Sequence, residues 1–131
     1  MTVRVNATAQ FEQDGALTIA ASRLGLVELA QALATSVDRD VVLRPVERAS
    51  PHITPVDVLR VRIDNKPGLA IRRSGSDVLI EGDGDAISLL AENIGGLGAD
   101  AQGLGSHLHI EYFPGHFYLR ADSCPAVVEV I

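Results

Sequence analysis

The feature that most constrains the fold of this chain is a strand-to-helix unit that occurs twice. In the first unit, apolar residues recur at i, i+3, i+4 and i+7, which predicts an amphipathic helix over residues 23–35. The second unit repeats this apolar stripe 61 residues further along the chain. The constant spacing predicts an internal duplication, with halves of about residues 1–64 and 65–131. The aligned residues are Leu26, Leu29, Ala30 and Leu33 in the first unit and Ile87, Leu90, Ala91 and Ile94 in the second.

Short segments of alternating apolar and polar residues flank both predicted helices. Residues 2–9 alternate in this way, and so do residues 57–64, where Arg60 and Arg62 share the polar side. Alternation with a period of two is typical of a half-buried strand, so each half is predicted to be a ββαββ unit. We therefore expect an α+β fold in which an antiparallel sheet carries two helices on one face. The length suits a single domain over residues 1–131.

Proline and glycine mark the breaks between these elements. Residues 48–55 contain two prolines and are predicted to be a long loop. Gly95-Gly96 is predicted to end the second helix, and the glycine-rich run 95–106 to be a flexible connection. This run lacks the Lys-Ser/Thr ending of a phosphate-binding loop and follows a helix instead of preceding one. A strand is expected next, over residues 107–113.

The charge balance limits the classes of partner. The chain has 17 acidic and 11 basic residues, which give a net charge of −6. A phosphate-binding surface needs clustered Lys and Arg, so the composition argues against nucleic-acid binding. A negative surface would attract a basic protein partner by long-range electrostatics.

The lone cysteine and the N-terminal sequence bear on the compartment. Cys124 has no partner for an intramolecular disulfide, which favours a reducing compartment. We expect it to be a small buried hydrophobic residue, because no helix start near it would ionise the thiol. The N-terminus has no basic stretch followed by an apolar run, and no segment has the ~20 apolar residues of a membrane span. These features predict a cytoplasmic protein that does not bind membranes.

Residues 106–119 hold the densest set of functional side chains. This segment contains three of the four histidines, both tyrosines and two of the three phenylalanines. On a strand, Leu108, Ile110 and Tyr112 would lie on one face. The opposite face would then carry His107, His109 and Glu111.

This row permits two kinds of chemistry. The two histidines and Glu111 could converge on zinc, with His116 as a fourth ligand, and activate a water in a metal-dependent enzyme. Glu111 and His109 could instead form an acid–base pair, although such neighbours on one strand face are about 7 Å apart. Neither CxxC nor HExxH is present, and no nucleophile is identifiable. We predict no catalytic residue, no bound metal and no cofactor.

A protein-binding face is the interpretation that we favour. An antiparallel sheet with helices on one side leaves its other side open, and here that side would carry rows of polar groups beside Glu129. The flanking aromatic side chains are of the kind that anchor interfaces. The predicted partner-binding residues are His107, His109, Glu111, Phe113, His116, Phe117, Tyr118, Arg60 and Arg62.

The run H-L-H-I-E-Y-F-P-G-H-F-Y-L, followed by S-C-P-A-V-V-E, resembles the C-terminal signature of small actinobacterial-type immunity proteins of polymorphic toxin systems. The preceding V-L-I-E-G-D-G-D-A-I-S-L-L-A-E-N-I is similar as well, and the resemblance covers residues 77–131. It implies a cytoplasmic antidote that binds and neutralises a cognate toxin protein. Independently of the resemblance, we expect the chain to be a monomer or a homodimer. The positions that match the signature are His107, His109, Glu111, Tyr112, Pro114, Gly115, His116, Tyr118, Leu119, Ser123 and Pro125.

Overall fold

The computed structural model describes residues 1–34, 37–46, 51–100 and 105–131. Within these ranges the chain forms strands and two α-helices. In chain order they are β1 (Thr2–Arg4), β2 (Ala7–Phe11), β3 (Leu17–Ala21), α1 (Arg23–Leu33), β4 (Arg39–Val42), β5 (Thr54–Val56), β6 (Val58–Ile63), β7 (Leu69–Ser74), β8 (Asp77–Gly82), α2 (Gly84–Asp100), β9 (His107–Ile110) and β10 (Ala126–Val130).

The strands form two five-stranded sheets. The first sheet has the order β1-β4-β6-β8-β7, and the second has the order β5-β2-β3-β10-β9. Both sheets are mixed, since β6 is parallel to β8 in the first and β3 is parallel to β10 in the second. The predicted α+β class is confirmed. The sequence predicted one antiparallel sheet, however, and the alternating run at residues 2–9 instead crosses from β1 in one sheet to β2 in the other.

The two sheets share an order of pairing. Along β7-β8-β6-β4 the pairs are antiparallel, parallel and antiparallel, and the same order holds along β2-β3-β10-β9. Each half of the chain contributes strands to both sheets. The first half places β4 and β6 in the first sheet and β2 and β3 in the second sheet, and the second half places β7 and β8 in the first sheet and β9 and β10 in the second sheet. The internal duplication stays a prediction, and this shared order is what a duplication would produce.

The helices lie against the second sheet and against each other. The side chain of Ser22 caps α1 by accepting a hydrogen bond from the backbone N–H of Gly25 at 3.1 Å. α1 contacts β2 and β3, while α2 contacts β9 and β10. The apolar faces of both helices and the inner faces of both sheets share one hydrophobic cluster. None of the described helices is long and apolar enough to cross a membrane.

The prediction that Gly95-Gly96 ends the second helix is wrong, because α2 continues to Asp100. Close packing on α1 accounts for Gly95 and Gly98, whereas a Cβ at Gly96 would meet no atom within 4 Å. A Cβ at Gly98 would lie 2.9 Å from the backbone oxygen of Arg23. The guanidinium of Arg23 in turn donates to the carbonyl of Gly98 at 3.1 Å and to that of Ala99 at 2.9 Å. The tertiary contact with α1 therefore outweighs the low helix propensity of glycine here.

Other predicted boundaries shift by a few residues. The first helix ends at Leu33, and the strand expected over residues 107–113 ends at Ile110. In the predicted loop 48–55, residues 54 and 55 belong to β5. Residues 35–36, 47–50 and 101–104 lie outside the described residues.

Candidate functional site

The predicted alternation along β9 is confirmed by the burial of its side chains. Ile110 is buried and Leu108 packs against the core, so these two residues face inward. His107 and His109 are exposed on the outer face of the second sheet. His107 stands opposite Glu129 of β10, which shares that outer face. A four-residue strand at the end of the sheet thus presents two imidazoles to solvent.

The two imidazoles of β9 contact each other. Their ring centroids are 4.8 Å apart and the ring planes are nearly perpendicular, at 87°. Nδ1 of His107 lies 3.0 Å from the carbonyl oxygen of Gly105. Because a carbonyl oxygen only accepts, Nδ1 of His107 carries the proton in this hydrogen bond, and Nε2 of the neutral ring is left as an acceptor.

The chain then forms the aromatic loop, defined here as residues 113–118. A turn closes it, in which the backbone N–H of His116 donates to the carbonyl of Phe113 at 2.9 Å and Gly115 adopts φ of +89°. His116 lies at the centre of the loop. Its ring stacks on Phe117 with centroids 5.6 Å apart and also contacts Phe113 and Tyr118. The loop therefore brings four predicted site residues into one ring cluster.

The backbone holds the imidazole of His116 in place. Nδ1 of His116 accepts hydrogen bonds from the backbone N–H groups of Tyr118 at 3.2 Å and Leu119 at 3.0 Å. Nε2 therefore carries the proton of the neutral ring. With His116 fixed, Phe113 and Phe117 remain 58% and 77% exposed on either side of it. The outer rings are thus supported by their neighbours although they are open to solvent.

Tyr118 is the buried anchor of the aromatic loop. Only 6% of it is exposed, and its hydroxyl accepts a hydrogen bond from the Asn93 side chain of α2 at 3.2 Å. Its carbonyl accepts from the backbone N–H of Leu69 in β7 at 2.8 Å. Tyr118, one of the predicted binding residues, thus joins the loop to α2 and to the first sheet, and its ring is buried in the free protein.

Asp64 and Arg120 form a clamp behind the aromatic loop. The sequence did not predict this pair. The guanidinium of Arg120 makes two hydrogen bonds to the Asp64 carboxylate, at 2.8 and 3.2 Å, and donates to the carbonyls of Lys66 and Pro67. These side-chain hydrogen bonds lower the pKa of Asp64 and raise that of Arg120. The two residues are 56 positions apart, so no local sequence signal could have paired them.

Arg60 and Arg62 lie in β6 of the first sheet and not beside the histidines of β9. Both are paired with carboxylates of neighbouring strands. Arg60 bridges Asp40 at 3.2 Å and Asp77 at 2.8 Å, and Arg62 bonds Asp40 at 2.9 Å. The single open face that was expected to gather these arginines with the histidine row is therefore divided between two sheets.

The four residues considered as zinc ligands are not assembled into a metal site. Nδ1 of His116 is already bonded to two backbone N–H groups. Across the ranges 1–34, 37–46, 51–100 and 105–131, no three His, Cys, Asp or Glu side chains are placed to hold one metal ion. Glu111 is exposed just after β9. His107 and His109 thus contact each other, but the described side chains of the row do not converge on one metal position.

Cys124 is half-buried and packs against the core. Burial raises the pKa of its thiol, which keeps it protonated and unreactive at neutral pH. Its backbone N–H donates to the carbonyl of Ile71 in β7 at 2.8 Å. The structural role expected from the sequence agrees with these contacts.

Residues 77–131 match the protein-family model described as Immunity protein 32. The matched stretch runs from β8 to the end of the chain and includes α2, β9 and the aromatic loop. It supports a relationship to immunity proteins, a class that is defined by a toxin partner. Comparisons with curated proteins and with solved structures found no significant match.

Proposed function

We propose that this chain is an immunity protein that binds and neutralises a cognate bacterial toxin domain in the cytoplasm of the cell that makes it. The observation that carries the proposal is the family match over residues 77–131. The matched stretch contains the surface on which side chains suited to protein binding are concentrated. We call this the docking surface and define it as β9, Glu111 and the aromatic loop.

The exposed phenylalanines are the expected anchors of the complex. Large apolar side chains at the centre of an interface contribute most of the binding energy, and Phe113 and Phe117 are exposed in the free protein. Contacts with His116 hold both rings before binding. A rigid anchor loses little conformational entropy on binding, so the loop is suited to a tight complex.

The charge of the docking surface favours a basic toxin face. Glu111 is exposed next to β9 and Glu129 lies on the same outer side of the sheet. The net charge of −6 would add long-range attraction and speed the encounter. Arg60 and Arg62 fall outside the proposed contact, because Asp40 and Asp77 already pair with them.

Coexpression with the toxin domain encoded by the neighbouring gene tests the function. We expect the wild-type chain to restore growth of cells that express that domain and to bind it in calorimetry. The double variant Phe113→Ala, Phe117→Ala should bind at least about 30-fold more weakly, since each anchor contributes about 1 to 2 kcal/mol. Leu24→Ala is the matched control, because Leu24 is an exposed apolar residue on α1, 71% accessible and outside the docking surface.

Two results would overturn parts of this proposal. Absence of binding and of growth rescue by the wild-type chain would contradict the immunity function. Binding by the double phenylalanine variant as tight as that of Leu24→Ala would leave the function standing and exclude the aromatic loop as the contact.

A further inference from the structure

The outermost strands of the two sheets differ in how their free edges are treated. An unpaired edge exposes backbone N–H and C=O groups that can pair with another chain, and proteins usually cover or interrupt such edges. On β7 the protein uses its own chain. The N–H of Leu69 donates to the carbonyl of Tyr118, and the N–H of Cys124 donates to the carbonyl of Ile71, each at 2.8 Å. Residues 118–124 thus cover the β7 edge of the first sheet.

Two other edge strands are blunted by length and composition. β1 has three residues and ends in the exposed Arg4. β5 also has three residues, and its central residue Pro55 has no N–H to offer. Short strands, charged side chains and proline are the usual means of discouraging an added strand. These edges therefore offer little to a partner.

β9 lacks the covering segment, the charged side chain and the proline that protect the other edges, and it is one residue longer than β1 and β5. It has four residues and contains no proline, lysine or arginine. It pairs with β10 on one side, and in the described part of the chain no strand pairs with its other side. Its sequence alternates histidine with aliphatic residues, which is compatible with a regular ladder.

The register shows which backbone groups of β9 face outward. In an antiparallel pair, every second residue exchanges hydrogen bonds with the partner strand. The N–H of Val130 donates to the carbonyl of Ser106 at 2.9 Å. Two residues further along β9, Leu108 lies opposite Val128 and so occupies the same kind of hydrogen-bonded position. The even-numbered residues of β9 therefore bond to β10. The N–H and C=O groups of His107 and His109 point away from it, toward the free edge.

We infer that the free edge of β9 receives an extended segment of the toxin, which adds to the second sheet as a sixth strand. The inference rests on the proposed function and specifies how the toxin is recognised. Main-chain hydrogen bonds from His107 and His109 would supply affinity, and the aromatic loop that follows β9 would bind side chains of the same partner.

The acidic charge at this end of the second sheet favours a toxin segment over a second copy of this chain as the occupant. The strands of the second sheet contain no arginine or lysine, and Glu129 and the nearby Glu111 make this end of the sheet acidic. Pairing of two β9 strands would bring these carboxylates of two copies together, each copy carrying a net charge of −6. A segment with basic side chains meets complementary charge instead.

Two substitutions at one position separate backbone from side-chain recognition. His109→Ala removes the imidazole and keeps the outward N–H, whereas His109→Pro removes both. Proline is tolerated on an edge strand where the N–H faces solvent, so the variant should retain the wild-type circular dichroism spectrum. We expect His109→Pro to bind the neighbouring-gene toxin domain at least about tenfold more weakly than His109→Ala does, because a ladder hydrogen bond is lost and the proline ring obstructs the added strand.

Amide exchange on the wild-type protein gives a second measurement that does not depend on the proline variant. Strand addition predicts that the amides of His107 and His109 exchange quickly in the free protein and become protected on addition of the toxin domain. The amides of Leu108 and Ile110 should be protected in both states, because they bond to β10.

Each outcome supports or overturns a defined statement. If the toxin domain binds but His109→Pro matches His109→Ala and the two histidine amides stay unprotected, the edge is not the site and the immunity function stands. If the wild-type chain does not bind the domain, the proposed function fails first. If the two amides are protected without toxin and light scattering shows a dimer, the occupant is a second copy and the inference is overturned.

Discussion

The two five-stranded sheets share an order of strand pairing but differ in the chemistry of their strands. The first sheet contains the arginines of all the strands, and its outer face pairs several of them with carboxylates. Arg72 adds pairs with Asp122 and Glu81. The second sheet contains no arginine or lysine in its strands and presents threonine, glutamine and histidine outward. The arginines in the strands of the first sheet are Arg4, Arg39, Arg60, Arg62, Arg72 and Arg73.

One backbone arrangement thus carries two kinds of surface. Ion pairs between adjacent strands occupy the charged groups of the first sheet, so these groups offer a partner little net attraction. The polar groups of the second sheet are less engaged with one another, and its end strand β9 is unpaired on one side in the described part of the chain. The first sheet is therefore suited to internal support, whereas we propose that the second contacts the partner.

The largest expected effect is on the inner faces of the two sheets. These faces should respond alike to the loss of a core side chain, although the outer faces differ. Leu59 in the first sheet and Leu17 in the second are both fully buried in the shared core. We expect Leu59→Ala and Leu17→Ala each to lower the free energy of unfolding by about 2–5 kcal/mol, because each leaves a cavity. Urea unfolding measures both. A loss in one variant alone, or two separate transitions, would show that the sheets unfold independently.

A smaller effect should separate the outer faces. Asp40→Ala removes the carboxylate that pairs with Arg60 and Arg62 and should cost about 1 kcal/mol, a modest value because these side chains are about one-third exposed. Glu129→Ala on the second sheet should change stability by less than about 0.5 kcal/mol. The cost of Asp40→Ala should shrink in 1 M salt, as urea unfolding at two salt concentrations would reveal. Equal costs for the two variants would contradict the contrast between the faces.

The smallest effect concerns the clamp that joins the end of the aromatic loop to the first sheet. Arg120 lowers the pKa of Asp64 in the folded protein. The stability from this ionised carboxylate is therefore present above the ordinary Asp pKa of 3.8 and is lost as the pH falls through the lowered value. Wild-type protein should have a higher Tm than Asp64→Asn at pH 6, and the gap should narrow as the pH falls from about 5 toward 3. A gap that does not depend on pH would exclude this linkage.

Period-two alternation allowed part of the site to be predicted from sequence. The pattern at residues 107–110 correctly separated the two outward histidines from Leu108 and Ile110, because neighbouring strand residues must point to opposite faces. The same argument placed Arg60 and Arg62 on a polar side. It could not assign them to a sheet, because the order of strands depends on pairing between distant segments such as Leu17 and Ala126.

The features that sequence reasoning missed all depend on tertiary contact. A pair of glycines often ends a helix, and Gly95-Gly96 was expected to do so. Here α2 continues because α1 packs closely on Gly98. The clamp between Asp64 and Arg120 joins residues that carry no shared local pattern. The burial of Tyr118 likewise follows from its contacts with α2 and β7. A tyrosine that the sequence placed among the partner-binding residues is therefore an internal anchor in the free protein.

The segment that covers β7 also limits how far this molecule can assemble. Filament growth through sheets requires two complementary open edges on every subunit, so that each addition regenerates a site for the next. With residues 118–124 hydrogen-bonded along β7, the first sheet has no such acceptor at that end. The remaining edge strands β1 and β5 have three residues each and carry an exposed arginine or a proline, so a strand added at β9 leaves no edge well suited to a further addition. This favours a closed complex of fixed stoichiometry and opposes polymerisation.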